Sequence, residues 1–130
     1  MRRSSSNPDP GKKIRQRAER SGRHAETIAG IFLRLKFFSI VEKRLRTPPG
    51  EIDIIARRGN LLIFVEVKMR RNKESMAEAL QGINRRRIIG AAKYFLAANP
   101  QMADKNLRFD VIFLAPLAFP VHLEGAFEAD

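Results

Sequence analysis

The pattern of polar and apolar positions changes period several times along this chain, and each change marks an element. From Leu61 to Val67 every residue but Glu66 is apolar. Such a run predicts a buried strand, taken here as Leu61 to Arg70. A second strand is predicted just upstream, over Glu51 to Arg57, and Arg58-Gly59-Asn60 supplies the glycine that a short hairpin loop wants. Phe38 to Lys43 is a short candidate strand before these two. Thr47-Pro48-Pro49-Gly50 interrupts the pattern and acts as a connection.

Helical spacing appears on both sides of the strands. Ala25, Ile28, Ala29, Phe32 and Leu35 predict the apolar face of a helix from Arg17 or Ser21 to Lys36. Ile88, Ile89, Ala91, Ala92, Phe95 and Leu96 predict the buried stripe of a longer one. Asn84 is a reasonable N-cap for it, and Asn99-Pro100 stops it after Ala98. A short helix over Met76 to Gln81 follows the polar stretch Asn72 to Ser75. Leu107 to Leu114 is a further strand, and Phe119 to Leu123 a candidate last one. The order is α-β-β-β-α-β. An antiparallel meander followed by a helical crossover implies an α/β class with a mixed central sheet flanked by helices.

Composition narrows the function. The 130 residues fit one domain, over 16–130, behind a flexible basic tail over 1–15. Lys and Arg total 25 against 14 acids, a formal net charge of +11. The natural partner is a polyanion, with nucleic acid ahead of an anionic membrane surface. No stretch is long and apolar enough to span a bilayer, so no membrane partner is expected. The absence of cysteine excludes disulfides, cysteine-ligated zinc, iron–sulfur clusters and a thiol nucleophile. It fits a reducing compartment, and a cytoplasmic location is expected. Met1 to Lys13 lacks the apolar segment of a secretory signal. His24 and His122 lie far apart and read as surface or strand-end residues.

The candidate chemistry sits on the central hairpin. Strand alternation puts Glu66 and Lys68 on one face and Val65 and Val67 on the other. A carboxylate in the middle of an apolar strand is costly without a partner. Asp53 on the adjacent strand makes a second carboxylate. Two close carboxylates repel unless a proton or cation intervenes, and Mg2+ or Mn2+ prefers such oxygen ligands. Asp53 and Glu66 are the expected metal ligands, with the carbonyl of Val67 as an addition. Lys68 would orient or deprotonate a water and balance developing charge. The plainer reading is a polar sheet face with a Glu66–Lys68 ion pair, and Asp53 on the neighbouring strand tips the balance toward the metal. Asp110, inside an apolar strand, reads as a structural partner for an arginine of a neighbouring element. Arg70, Arg71, Arg85, Arg86 and Arg87 are candidate phosphate-backbone contacts. With Tyr94 the one tyrosine, no tryptophan and the phenylalanines taken by the core, base stacking has little support.

These residues also resemble a known family. The element order, with Asp on the second strand and Glu-x-Lys on the third, looks like the PD-(D/E)xK superfamily, the restriction-endonuclease-like fold. GEIDIIA followed by LIFVEVKMR is similar to the bacterial YraN family, known as uncharacterised and endonuclease-like. The likeness extends to His24-Ala25-Glu26, to AAKYFL over 91–96 and to Arg108-Phe109-Asp110-Val111. Ile52 stands where the superfamily's name has proline. The resemblance implies a metal-dependent nuclease with Asp53, Glu66 and Lys68 as catalytic residues. It also implies that Glu26, otherwise a solvated helix glutamate, is a helix-borne acid turned to the metal. The expected substrate is DNA, branched or structured DNA included, and the sequence allows a homodimer. The competing readings are a non-catalytic nucleic-acid-binding protein that keeps the fold, and a small basic assembly factor for an RNA–protein particle.

Overall fold

The structure, a computed structural model, describes residues 24–70 and 76–129. Helix α1, described over residues 24–35, leads into β1 (Ser39–Arg46), β2 (Glu51–Arg58) and β3 (Leu61–Met69). Helices α2 (Met76–Gln81) and α3 (Arg85–Ala98) follow, then a short 3-10 turn over Pro100–Met102, β4 (Asn106–Leu114) and β5 (Val121–Phe127). The five strands form one sheet in sequence order. β1, β2 and β3 are an antiparallel meander, the passage through α2 and α3 makes β4 parallel to β3, and β5 returns antiparallel. This is the mixed α/β arrangement that the element order implies.

The sheet is covered on both faces. On one, Ala25, Ala29 and Leu33 of α1 pack against Ile54, Ile63, Val65 and Ile112. On the other, Ile88, Ala91, Ala92 and Phe95 of α3 pack against Ile55, Leu62, Phe64 and Phe109. β3, in the middle, is therefore buried on both sides, which explains its near-continuous apolar run.

Several boundaries differ from expectation. β1 runs on to Arg46, past the predicted end at Lys43, and the last strand begins at Val121 and continues to Phe127. The face of α1 is also turned. Ala25, Ala29 and Leu33, four apart, form the buried row, and Phe32 is only partly buried beside it. Ile28 and Leu35, seven apart, share a neighbouring row and stay 44% and 74% exposed. The α3 prediction matches better: Ile88, Ala91, Ala92 and Phe95 are buried, and Ile89 and Leu96 half-buried. The Asn84 side chain caps it by accepting from the Arg87 N–H. The basic tail, the start of the first helix, Arg71 and the Asn72–Ser75 stretch lie outside the described residues.

The turn before β2 ties the two layers together. Thr47 closes it, with its N–H and Oγ1 both donating to the Gly50 carbonyl at 2.8 and 2.6 Å. Gly50 lies so close to α3 that a Cβ there would fall 2.1 Å from the Arg87 carbonyl oxygen. Pro49 packs over Gly90, where a Cβ would fall 2.9 Å from the proline ring. The start of β2 is thus pinned to the first turns of α3, three residues ahead of Asp53.

Candidate metal and phosphodiester site

The site forms where β2 and β3 part. Their ladder runs from Arg58/Leu61 to Ile54/Val65 and goes no further. Asp53 is the first β2 residue beyond that ladder, and its Oδ2 accepts the Val67 N–H at 2.8 Å. A side chain thereby takes the place of a ladder bond and fixes the carboxylate on the third strand. Val67 points its side chain into the α1 cluster, leaving Glu66 and Lys68 on the opposite face, in the row of Leu62 and Phe64.

Asp53, Glu66 and Lys68 are brought together. The Lys68 Nζ is 3.7 Å from Glu66 Oε2. Burial, followed by a hydrogen bond and repulsion from Asp53, pushes Glu66 up to about 8, against the opposing pull of Lys68. A carboxyl so raised holds a proton at neutral pH when no cation is near, and a divalent ion is the chemical alternative to that proton. The donor set, two convergent carboxyl groups of hard oxygen atoms, fits Mg2+ or Mn2+. Among the described residues no group of three acidic or histidine side chains gathers into a ready metal cluster.

Glu26 approaches Asp53 from α1. With Asp53 and Glu51 it lines a polar recess of about 30 Å3, space for a single water or small ion. Arg44 shares that recess. Its Nε lies 3.7 Å from Glu26 Oε1, while its Nη1 is buried with no hydrogen-bond partner among the described residues. Arg44 adopts a left-handed backbone, φ 52°, within β1. The sequence reading ended the strand one residue earlier and so missed it. The signal available was the basic Lys43-Arg44 step on a strand adjoining Asp53.

The basic candidates divide. Arg85, Arg86 and Arg87 are exposed on the first turn of α3, which carries no acid. Arg70 is half-buried, and its Nη1 is turned back to the Met69 carbonyl at 2.6 Å. Asp110 forms a separate cluster on the sheet. Its arginine comes from its own strand, and not from a neighbouring element: Arg108 Nε and Nη2 donate to Oδ1 and Oδ2 at 2.8 and 2.9 Å. His122 Nε2 lies 2.8 Å from Oδ2, and the Gly125 N–H donates to Oδ1 at 3.0 Å. Burial alone would raise Asp110, but these partners override it and hold the carboxyl below the usual range. His122, expected at the surface or a strand end, is enclosed by this network and has Lys36 Nζ 2.7 Å from its Nδ1.

A helix, a three-stranded meander with Asp and Glu-x-Lys at its parting point, and a parallel strand after a helical crossover define an α/β protein with a restriction-endonuclease-like core. The chain belongs to the uncharacterised protein family UPF0102, the YraN family, whose profile matches residues 25–114. A UPF0102 protein of Azorhizobium caulinodans is 47% identical over 124 residues, 95% of each chain. One from Rhodopseudomonas palustris strain BisB18 is 48% identical over 112 residues, 86% of this chain and 83% of its own. One from Paramagnetospirillum magneticum is 40% identical over 128 residues, 95% of this chain and 99% of its own.

Proposed function

We propose that this protein is a metal-dependent nuclease that hydrolyses phosphodiester bonds in DNA, branched or structured DNA included. The observation that carries the reading is the convergence of Asp53 and Glu66 at the parting of β2 and β3, with Lys68 beside them. A purely structural sheet would gain by replacing so costly a set with apolar residues. Asp53 and Glu66, with the Val67 carbonyl as a further donor, would hold Mg2+ or Mn2+. That ion, when bound, supplies Lewis acidity and makes a coordinated water more acidic. Asp53 is held in place by the Val67 N–H and needs no rearrangement to present its other oxygen. Lys68 orients the attacking water and offsets negative charge growing on the phosphoryl oxygens. Arg44, whose buried Nη1 has no hydrogen-bond partner among the described residues, is placed to donate to a water or phosphate oxygen in the recess that Glu26 and Asp53 share.

Support for a nucleic-acid substrate comes from α3. Arg85, Arg86 and Arg87 occupy a first turn, where the helix dipole favours acids. Cations there oppose the dipole, and a bound anion relieves both. A second reading, a binder without catalysis, is favoured by the pairing of Glu66 with Lys68 and of Glu26 with Arg44.

Calorimetry with Mn2+, paired with single-turnover cleavage of linear, flapped and four-way DNA, separates the two. D53A and E66A are expected to lose metal binding and cleavage together. K68A should keep the metal while slowing cleavage at least a hundredfold, in the range typical of lost transition-state stabilisation. Wild-type protein that binds metal and DNA yet cuts none of these substrates would establish the binder instead.

A further inference from the structure

A cavity of about 600 Å3 opens between α3 and the β4–β5 end of the sheet, away from the Asp53–Glu66 pair. Its floor is the top of the buried core, where Phe64, Phe109 and Phe127 are only 1–6% exposed. Phe64, Phe109 and Phe127 form a stacked run, with ring centroids 5.3 and 5.0 Å apart. Ile89, Leu96 and Leu107 complete the apolar wall. Beside it lies a second recess of about 400 Å3, lined by Arg85, Arg86 and Lys93. The two spaces share Ile89, Lys93 and Glu128 as a common rim.

An apolar chamber that opens into a cationic one selects a ligand with a flat apolar body and an anionic tail. A lipid-like anion would satisfy the chamber alone. The rim favours something else. Glu128 is an acceptor for an exocyclic amine, which a nucleobase has and an acyl chain lacks. The cationic side is built from the same basic turn that approaches the metal site: the Arg87 backbone abuts Gly50, three residues before Asp53, while Arg85 lies 5.5 Å over the Phe127 ring. One turn of α3 therefore links the two places, as a phosphate track would.

We propose that this cavity receives an unpaired nucleotide of the nucleic-acid substrate, its base in the apolar chamber and its phosphates on Arg85, Arg86 and Lys93. The proposal rests on the nucleic-acid reading above and adds to it a preference for substrates with a single-stranded tail or a displaced base. It calls for burial of the base in an apolar slot, not for stacking on an open ring face, since the phenylalanines are taken by the core as expected.

The test is fluorescence anisotropy in chelator, comparing a blunt duplex with the same duplex carrying a short unpaired tail. The tailed DNA is expected to bind about tenfold tighter, the gain that removing roughly 60 Å2 of base surface from water supplies. L96W, which fills the chamber, should bring the ratio of tailed to blunt affinity close to one. L107E, at a position 43% exposed, should do the same should L96W not fold. A ratio near one in the wild type, or a wild-type ratio in both variants when melting shows them folded, overturns the proposal. Blunt-duplex binding with no tail preference defeats this inference alone. Failure to bind any nucleic acid at low salt defeats it together with the nuclease reading. Tail preference without cleavage leaves it standing and removes the nuclease.

Discussion

Glu66 is the residue on which the candidate site turns, because its proton and a divalent ion compete for the same oxygens. Its folded value of about 8 lies far above the ordinary 4.5. Raised in this way, the group contributes stability fully below its unfolded value and loses that contribution as pH rises through about 8. Two outcomes follow from this sign. Mn2+ affinity should climb between pH 5.5 and 7.5 by up to about tenfold per unit, as calorimetry in buffers of different ionisation heat would show through proton release. The metal-free E66Q variant, uncharged at every pH, should melt above the wild type at pH 8.5 and near it at pH 5. An affinity that ignores pH would mean Glu66 is not a ligand. At this scale the sequence was only partly legible. Alternation was enough to predict that Glu66 and Lys68 share a face. That Asp53 should take the Val67 N–H depends on where the ladder stops, and the residues alone do not announce that. Asp110 was recognised as paired, yet its His122 and Gly125 partners come from a strand whose predicted range was displaced.

Elements were most legible where a period ran long, as in α3 and the central hairpin, and least where two rows of one helix were both apolar. On α1 the small Ala25 and Ala29 let the backbone lie close to the sheet, and that contact selected their row, with Leu33, over the row of Ile28 and Leu35. Size complementarity with the sheet decided the matter, and periodicity carries no information about it. The proline-rich connection was legible as a break but not as a fastening. Its contacts with Arg87 and Gly90 make it the piece that sets the start of β2 against α3. G50A is accordingly a probe of the fastening. The added methyl would meet backbone 2.1 Å away, which no side-chain rotation relieves. A loss of about 1–3 kcal/mol in urea unfolding is expected, the usual range for overpacking. Cleavage should suffer further in the folded fraction, since Asp53 lies three residues on. A G50A protein with wild-type stability would show that the turn and the helix can separate at no cost.

Across the whole molecule, the charge excess is unevenly matched. Many of the acids are already engaged: Glu26 with Arg44, Glu51 with Arg46, Asp110 with Arg108 and Glu124 with Lys36. The stretch from Arg85 to Ala98 has four cations and no acid. Pairs of the first kind release no counterions when a polyanion arrives, because their positive charge is already neutralised. Cations of the second kind do, at close to one per phosphate contacted. Binding to duplex DNA should therefore weaken steeply with salt, and the logarithm of affinity should fall linearly with the logarithm of salt concentration. Changing Arg85, Arg86 and Arg87 together to glutamine should make that slope shallower by about 2.7, three phosphate contacts at the duplex value. Changing Arg46, which is exposed but paired with Glu51, should leave the slope almost unaltered. The pair of variants separates a specific track on α3 from a diffuse attraction due to net charge. A slope set by net charge alone would give Arg46 one third of the triple variant's effect. The measurement is anisotropy over 50–200 mM salt in chelator, and equal slopes for the wild type and the triple variant would remove α3 from the nucleic-acid interface.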